Sequence, residues 1–415
     1  MSNMRKVKRE CDGMNMTRNV YEAKISCKEF FHKIQGDMLI SGNEAGNQLL
    51  ILELVCSYLQ RADIPTIILS SHMELLRKLQ EKRNRQEISH MMITCQYERN
   101  YMPFYGMSVQ QVLRFIHIVA KEIGYEAKID QVMVYAAAVL NIVHEKYQVC
   151  LPALTKLLEK DDDYISEFAI QMGLSNIIVD NIRGNHEAGI ILRRICEYLE
   201  EVFEEIYTPD VVTNYSFQSG AMKNIIGMAM YGCSSNQQIM NVYLKEEIYH
   251  TLKGVDKVRV ILDEMSFENE NDELLKYLFM AKRQGKIELI FIAKNVGDFL
   301  QKASELDFSN IVMFQQNTAT ATEEISKGLF GTFQYHYPVL TTGDTPHILF
   351  SIKKAEHWQI QKEERLRVRN QDFCARSTII GKQSNYLAIK TTANSNVYLI
   401  KITDFLPMVM ETSMI

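Results

Sequence analysis

The sequence predicts an α/β fold: three layers with a mainly parallel sheet, an inserted all-helical bundle and a small β-rich C-terminal extension. Three observations predict it. Short apolar runs alternate with helical patterns, as expected of parallel strands covered on both faces. Residues 108–207 carry almost no β-favouring alternation. The C-terminal tail reads as short strands separated by turn residues.

A chain of 415 residues is too long for one ordinary core, so two or three domains are expected. Apolar content of 47% and charged content of 23% are globular values. With a net charge of -5, no global basic field draws in nucleic acid. The basic runs Arg5–Arg9, Arg77–Arg85 and Lys362–Arg369 read as solvated helix faces. None of the eight cysteines forms a C-x-x-C pair, which argues against a disulfide framework or zinc knuckle and for a reducing compartment. MSNMRKVKRE has no apolar stretch behind it, and no run of apolar residues is long enough to span a bilayer. A cytoplasmic protein with no direct membrane insertion is the expectation.

In chain order, residues 1–30 are polar and mixed, an arm or an edge strand, within an N-terminal arm bounded at 1–35. Met38-Leu39-Ile40 is a short strand running into Ser41-Gly42-Asn43-Glu44-Ala45-Gly46-Asn47-Gln48, and Leu49 to Leu59 follow at helical spacing. Strand, glycine-containing turn and helix is the layout of a phosphate-binding loop. Ile64–Ser71 closes a βαβ unit, a charged helix covers Met73–Arg85, and Ile88–Thr94 is a third strand. Helices then fill Ser108–Ile123, Asp130–Lys146, Leu151–Glu159, Asp163–Met172 and His186–Ile206, with the acidic tract Glu159–Asp163 as a helix junction. Val211–Phe217 resumes the strands, and Gln237–Lys253 is a long helix. Asn271–Gln284 and Ala321–Leu329 are further helices, and Ile287–Ala293 and Ile311–Phe314 further strands. In the tail, Thr345–Ile352, Thr378–Gly381, Tyr386–Lys390 and Val397–Lys401 read as strands added antiparallel at one sheet edge. Trp358 falls in a helix-like stretch with basic neighbours, to pack on the fold or stack on a base.

The candidate chemistry centres on KVRVILDEMSF, residues 257–267. Its apolar strand ends on Asp263 and Glu264, where ligands bind in open α/β sheets. An Asp-Glu pair there suits nucleotide hydrolysis: Asp263 holds Mg²⁺ through its water shell, and Glu264 polarises the attacking water. The plain alternative is a strand ending in two solvated acids.

The order of parts resembles the FtsK–HerA superfamily of P-loop ATPases, and more narrowly the TraG/TraD-type coupling ATPases of conjugation and type IV secretion. The matching features are the loop near Gly42, the helical block after the third strand, the strand ending Asp263-Glu264, the helix closing on Ala281-Lys282-Arg283-Gln284-Gly285, and the strand IELIFIAKN. The resemblance covers roughly residues 35–330. It implies a RecA-like ATPase domain over 36–106 and 208–335, an inserted all-alpha domain over 107–207 and an extension over 336–415. It also implies ring-forming, often hexameric motors that bind ATP between subunits and move DNA, with Arg283 as the arginine that reaches a neighbour's phosphates.

The loop departs from the pattern G-x-x-x-x-G-K-[ST]. Ser41 replaces the first glycine, Asn47 the lysine, and Gln48 the hydroxyl that binds Mg²⁺. Glu44 adds a carboxylate inside the anion cradle, a repulsion on the order of 1–3 kcal/mol at an effective dielectric near 20. Gly42, Glu44, Gly46, Asn47 and Gln48 are therefore either a degenerate cofactor loop or a capped strand-to-helix turn. Lys294 stands where a polar sensor residue is expected. It either supplies the missing cation to a nucleotide or pairs with Asp263 or Glu264 and locks the site. The expectation is a degenerate, hydrolysis-deficient subunit, taking ATP and Mg²⁺ if any nucleotide binds. Its partners are further copies of itself or an active paralogue, with DNA as a possible cargo. An unusual working translocase and a nucleotide-independent DNA- or protein-binding module are the alternatives.

Overall fold

Runs of β-branched and apolar residues between polar breaks set the strands of this protein, and amphipathic spacing sets its helices. A computed structural model describes residues 5–6, 19–34, 36–42, 64, 66–70, 77–78, 81, 91–94, 101–204, 206–207, 216, 225–229, 235–254, 257–263, 273–293, 308–314, 319–346, 352–369, 372, 374–376, 383–391 and 394–406. The chain divides into two units, Met1–Gln60 with Leu289–Ile415, and Arg61–Glu288. The N-terminal part of the first unit holds β1 (Arg5–Lys6), β2 (Val20–Glu22), α1 (Cys27–Lys33) and β3 (Met38–Ser41).

In the unit Arg61–Glu288 the strands are β4 (Thr66–Ser70), β5 (Met91–Thr94), β6 (Ile225–Ala229) and β7 (Val258–Asp263). β4 lies between β6 and β7 and is parallel to both, and β5 is parallel to β6. Every residue of β4 and β7 is buried, the condition of a parallel sheet covered on both sides. This is the α/β class that the apolar runs predict.

Between β5 and β6 the described chain is helical: α2 (Val109–Glu122), α3 (Ile129–Lys146), α4 (Leu151–Leu158), α5 (Asp162–Gln171), α6 (Asn176–Arg183) and α7 (His186–Phe203). The chain leaves for these helices and returns at one place, because the Tyr101 N–H donates to the Ile206 carbonyl at 3.0 Å. Then come α8 (Ser235–Lys253) and α9 (Glu273–Arg283). Tyr243 of α8 sits among Tyr101, Phe104, Phe115 and Phe203, all edge-on, with centroids 4.7–6.4 Å away. Its hydroxyl accepts the Phe104 N–H at 2.7 Å. Phe104 has φ +68, a left-handed conformation that strains a non-glycine residue and is held here by full burial.

One carboxylate ties three of these helices. Asp162, at the start of α5, accepts from the Tyr135 hydroxyl of α3 at 2.6 Å and from Arg193 of α7 at 3.0 Å. The Nδ1 of His186, first residue of α7, lies 2.6 Å from its other oxygen. Burial opposes ionisation of Asp162, but the bonds to Tyr135, His186 and Arg193 outweigh it and hold the carboxyl below its ordinary range. Gly189 of α7 makes this approach possible, since a Cβ there would fall 2.8 Å from Cζ of Tyr135 and 2.9 Å from its hydroxyl. Gly189→Ala gains about 1 kcal/mol of helix propensity against an overpacking cost of about 1–3 kcal/mol. The expected outcome is a net loss of about 1 kcal/mol in urea denaturation, with the Tyr135–Asp162 bond displaced. A more stable variant would show that the two helices part freely.

The rest of the first unit begins with the larger part of β8 (Ile287–Ala293). It continues through β9 (Asn310–Met313), α10 (Ala319–Phe330), β10 (Thr332–Pro346), β11 (Ile352–Leu366), β12 (Cys374–Arg376), β13 (Gln383–Thr391), β14 (Asn394–Lys401) and α11 (Ile402–Phe405). β3 lies between β8 and β9, parallel to both. β13 adds antiparallel to β9, β14 antiparallel to β13, and β2 parallel to β14.

Three expectations are revised here. The N-terminal stretch read as an arm or edge strand does supply the terminal strands β1 and β2, but it also contains α1, a seven-residue helix too short to show periodicity, capped by Ser26 and packed through Phe30 and Phe31 on Phe405. Trp358 is not in a helix but in β11, opposite Leu340. The expected strand Thr345–Ile352 instead spans the end of β10 and the start of β11. Those two strands pair only with each other among the described residues. The strands expected over Thr378–Gly381 and, Ser216 apart, Val211–Phe217 lie outside the described residues.

Candidate functional site

β7 delivers Asp263 at its C-terminal end, where the parallel register sets it opposite Ser70 of β4. Asp263 is fully buried, and the Ser70 hydroxyl donates to its Oδ2 at 2.5 Å. A buried carboxylate beside a hydroxyl at a strand end is a hard oxygen set, suited to hydrated Mg²⁺. Four residues earlier, on the same face of the strand by the two-residue repeat, Arg259 is 4% exposed. Its guanidinium donates twice to the Glu288 carboxylate, at 2.8 and 3.0 Å, and once to the Thr66 hydroxyl at 3.4 Å. Glu264 lies outside the described residues.

In the other unit, β3 is followed by Gly42 with φ +117, a conformation that favours glycine. The Gly42 N–H donates to the Ala293 carbonyl at the end of β8, and the Ser41 carbonyl accepts from Phe314 just after β9. At the opposite end, the Asp37 carboxylate accepts the Leu289 N–H at 2.8 Å. The Asp37 carbonyl takes both the backbone and the side-chain N–H of Asn310. The strand is thus pinned at both ends. Glu44, Gly46, Asn47, Gln48 and Lys294 lie outside the described residues.

Arg283 is the last residue of α9 and is exposed. Its helix stops on Gly285, at φ +71, whose N–H returns to Lys282. An exposed arginine at a helix end is placed to reach outward, and it also suits the negative end of its own helix dipole.

No protein-family model and no curated protein matches this sequence. Solved structures do resemble it. One is the bacterial conjugative coupling protein TrwBdeltaN70 in an unbound form, at 11% identity and TM-score 0.48, covering 88% of this chain and 84% of that one. Another is the plasmid coupling protein TrwB in complex with ADP and Mg²⁺, at 11% identity and TM-score 0.45, covering 88% and 85%. VirB4 of Thermoanaerobacter pseudethanolicus aligns at 12% identity and TM-score 0.45, over 72% of this chain and 83% of that one. These likenesses concern the fold and assign no role to any residue.

The residues fit a nucleotide only in part. Asp263 with Ser70 suits a hydrated divalent cation, whereas the sequence after Gly42 offers a triphosphate neither lysine nor hydroxyl. Among the described residues no cluster of three His, Cys, Asp or Glu is arranged to hold a metal directly. No described helix is long and apolar enough to cross a membrane. Ser70 was not singled out from the sequence. Its only signal there is that IPTIILSS ends in serines as KVRVILDE ends in acids, and the register between those strands is invisible in a linear reading.

Proposed function

We propose that this chain is an ATPase-fold protein of the conjugation and type IV secretion kind that has lost robust hydrolysis as a lone chain. It serves as a structural or regulatory subunit of a DNA-mobility, secretion or defence assembly, among further copies of itself or beside an active paralogue. One observation carries the reading. The strand-end carboxylate Asp263 is kept buried and hydrogen-bonded to Ser70, while the window from Ser41 to Gln48 has no cation to hold phosphate. The resemblance in the order of parts supports it.

A second reading, a working ATPase that borrows Lys294, has its own support. Ala293, the residue before Lys294 in sequence, accepts the Gly42 N–H, so β8 ends beside the end of β3. DNA capture by the helical segment is the weakest reading, because residues 109–207 hold nine Lys and Arg against sixteen Asp and Glu. Phosphate binding needs the opposite sign.

Calorimetry with ATP and Mg²⁺ tests the proposal. The purified chain should release no phosphate above buffer. The double substitution Asn47→Lys with Gln48→Thr should tighten ATP binding at least tenfold, about 1.4 kcal/mol. Steady phosphate release from the unmodified chain, abolished by Glu264→Gln, would sink the proposal, and its further loss in Lys294→Gln would establish the second reading.

A further inference from the structure

Two large aromatic side chains of the helical segment stand largely outside its core. Tyr147, which closes α3, is 55% exposed, and Tyr164, in the first turn of α5, is 50% exposed. Neither hydroxyl has a hydrogen-bond partner among the described residues. The two rings are the ends of one row. Phe168, a turn after Tyr164, stacks on it with centroids 6.3 Å apart and planes 11° from parallel. The Lys146 ammonium lies 4.3 Å from the Phe168 centroid and 5.4 Å from that of Tyr147. Cation–π contact holds the lysine on these rings, so its charge is engaged inside the row. Three exposed acids border it. Glu145 precedes Lys146, Asp163 precedes Tyr164, and Glu167 stands three residues after Tyr164 on the same helix face.

We propose that this aromatic row docks an extended, proline-rich segment of another protein that carries a basic residue beside its prolines. Shape selects the conformation of the ligand. A docking helix brings an apolar stripe about 100° wide and needs a groove to match, whereas here single rings are edged by carboxylates. A polyproline II segment needs less. Its stiff prolines lie on successive ring faces, and its carbonyls, which have no internal partners, take hydrogen bonds from outside. The Tyr147 and Tyr164 hydroxyls are donors of that kind. One turn of such a segment advances about 9 Å, and the three links of the row, at 6.3, 4.3 and 5.4 Å, fit within two turns. Charge selects the flanking residue. Three acids against one engaged lysine repel a nucleic-acid backbone or an anionic lipid surface and attract arginine or lysine.

None of this rests on the nucleotide reading, and the test uses no nucleotide. The full chain is titrated calorimetrically with synthetic peptides, proline-rich and carrying arginine at one end. Saturable binding with a Kd below about 1 mM is expected. Replacing the prolines of the peptide with alanine should weaken binding at least tenfold, and so should Tyr164→Ala or Tyr147→Ala in the chain. Glu167→Lys should weaken it at least threefold and flatten its dependence on salt. Far-UV circular dichroism checks that the variants fold, as the exposure of both tyrosines predicts. Absence of saturable binding up to about 1 mM peptide overturns the proposal. So do tyrosine variants that bind like the unmodified chain, or alanine peptides that bind equally well, which would leave charge alone as the attraction. Competition by oligothymidine also overturns it, because the row would then be a platform for stacking bases.

Discussion

Asp162→Ala is expected to lower the stability of the unit Arg61–Glu288 by about 3–4 kcal/mol. The carboxylate side chain is 12% exposed and Arg193 26%, so both charges are largely out of water. Hydrogen bonds to a charged group are worth about 1.5–3 kcal/mol each, and Tyr135 and Arg193 both lose one. Arg193 retains the Leu158 and Lys160 carbonyls, which limits the damage. Urea denaturation followed by helical circular dichroism reads the effect, and a change below about 1 kcal/mol would refute the central role of Asp162. The same group sets a pH dependence. Its folded carboxyl titrates below the ordinary range, so its stabilisation is fully present above the unfolded value of about 4. It is lost as pH falls through the lower folded value. Asp162→Asn should flatten that acid limb of the stability profile and leave the neutral side level.

Glu288→Ala is expected to cost about 3 kcal/mol by a different route. Arg259 is 4% exposed and directs two N–H groups at Glu288, so truncation leaves a guanidinium buried without its carboxylate. Breaking a buried pair from one side typically costs 3–5 kcal/mol, and the lower figure applies because Glu288 is 16% exposed and Thr66 stays in reach. Replacing both partners, Arg259→Met with Glu288→Leu, should recover most of the loss, since well-packed apolar residues often match a buried ion pair. Thermal denaturation of the two single variants and the double closes the cycle. If the double is as unstable as Glu288→Ala, the pair contributes more than mutual neutralisation. The readout reaches the candidate site, because Arg259 and Asp263 lie on the same short strand.

These effects also show where a linear reading succeeds. β7, β8 and β4 were legible because strands buried on both faces must be apolar throughout, and Val258 to Leu262 and Ile287 to Ala293 are nearly so. Asp263 was legible as the first acid after such a run. Ser70 was not, because a hydrogen bond across 193 residues depends on strand register. The tract Glu159–Asp163 read as a helix junction. Asp161 does cap α5 through the Tyr164 N–H, but its neighbour Asp162 gathers groups from α3 and α7 that no local pattern links. The β10–β11 ribbon was legible only in part, since the pairing of β10 with β11 depends on a register that a linear reading does not carry. Of the candidate site, Gly42, Asp263 and Arg283 can be located, whereas the identity of residues 44 to 48 is legible only as chemistry.

The hydrogen bond from Tyr101 to Ile206 reaches beyond stability. The two ends of the helical excursion meet within one peptide group, so to the strands on either side it spans no more than a reverse turn. Closing it then draws on the helices' own folding rather than on strand pairing. The residues that pack on Tyr243 of α8, Phe104, Phe115 and Phe203, tie the excursion to the helix before β7; the segments away from them can change in length without moving the two ends apart.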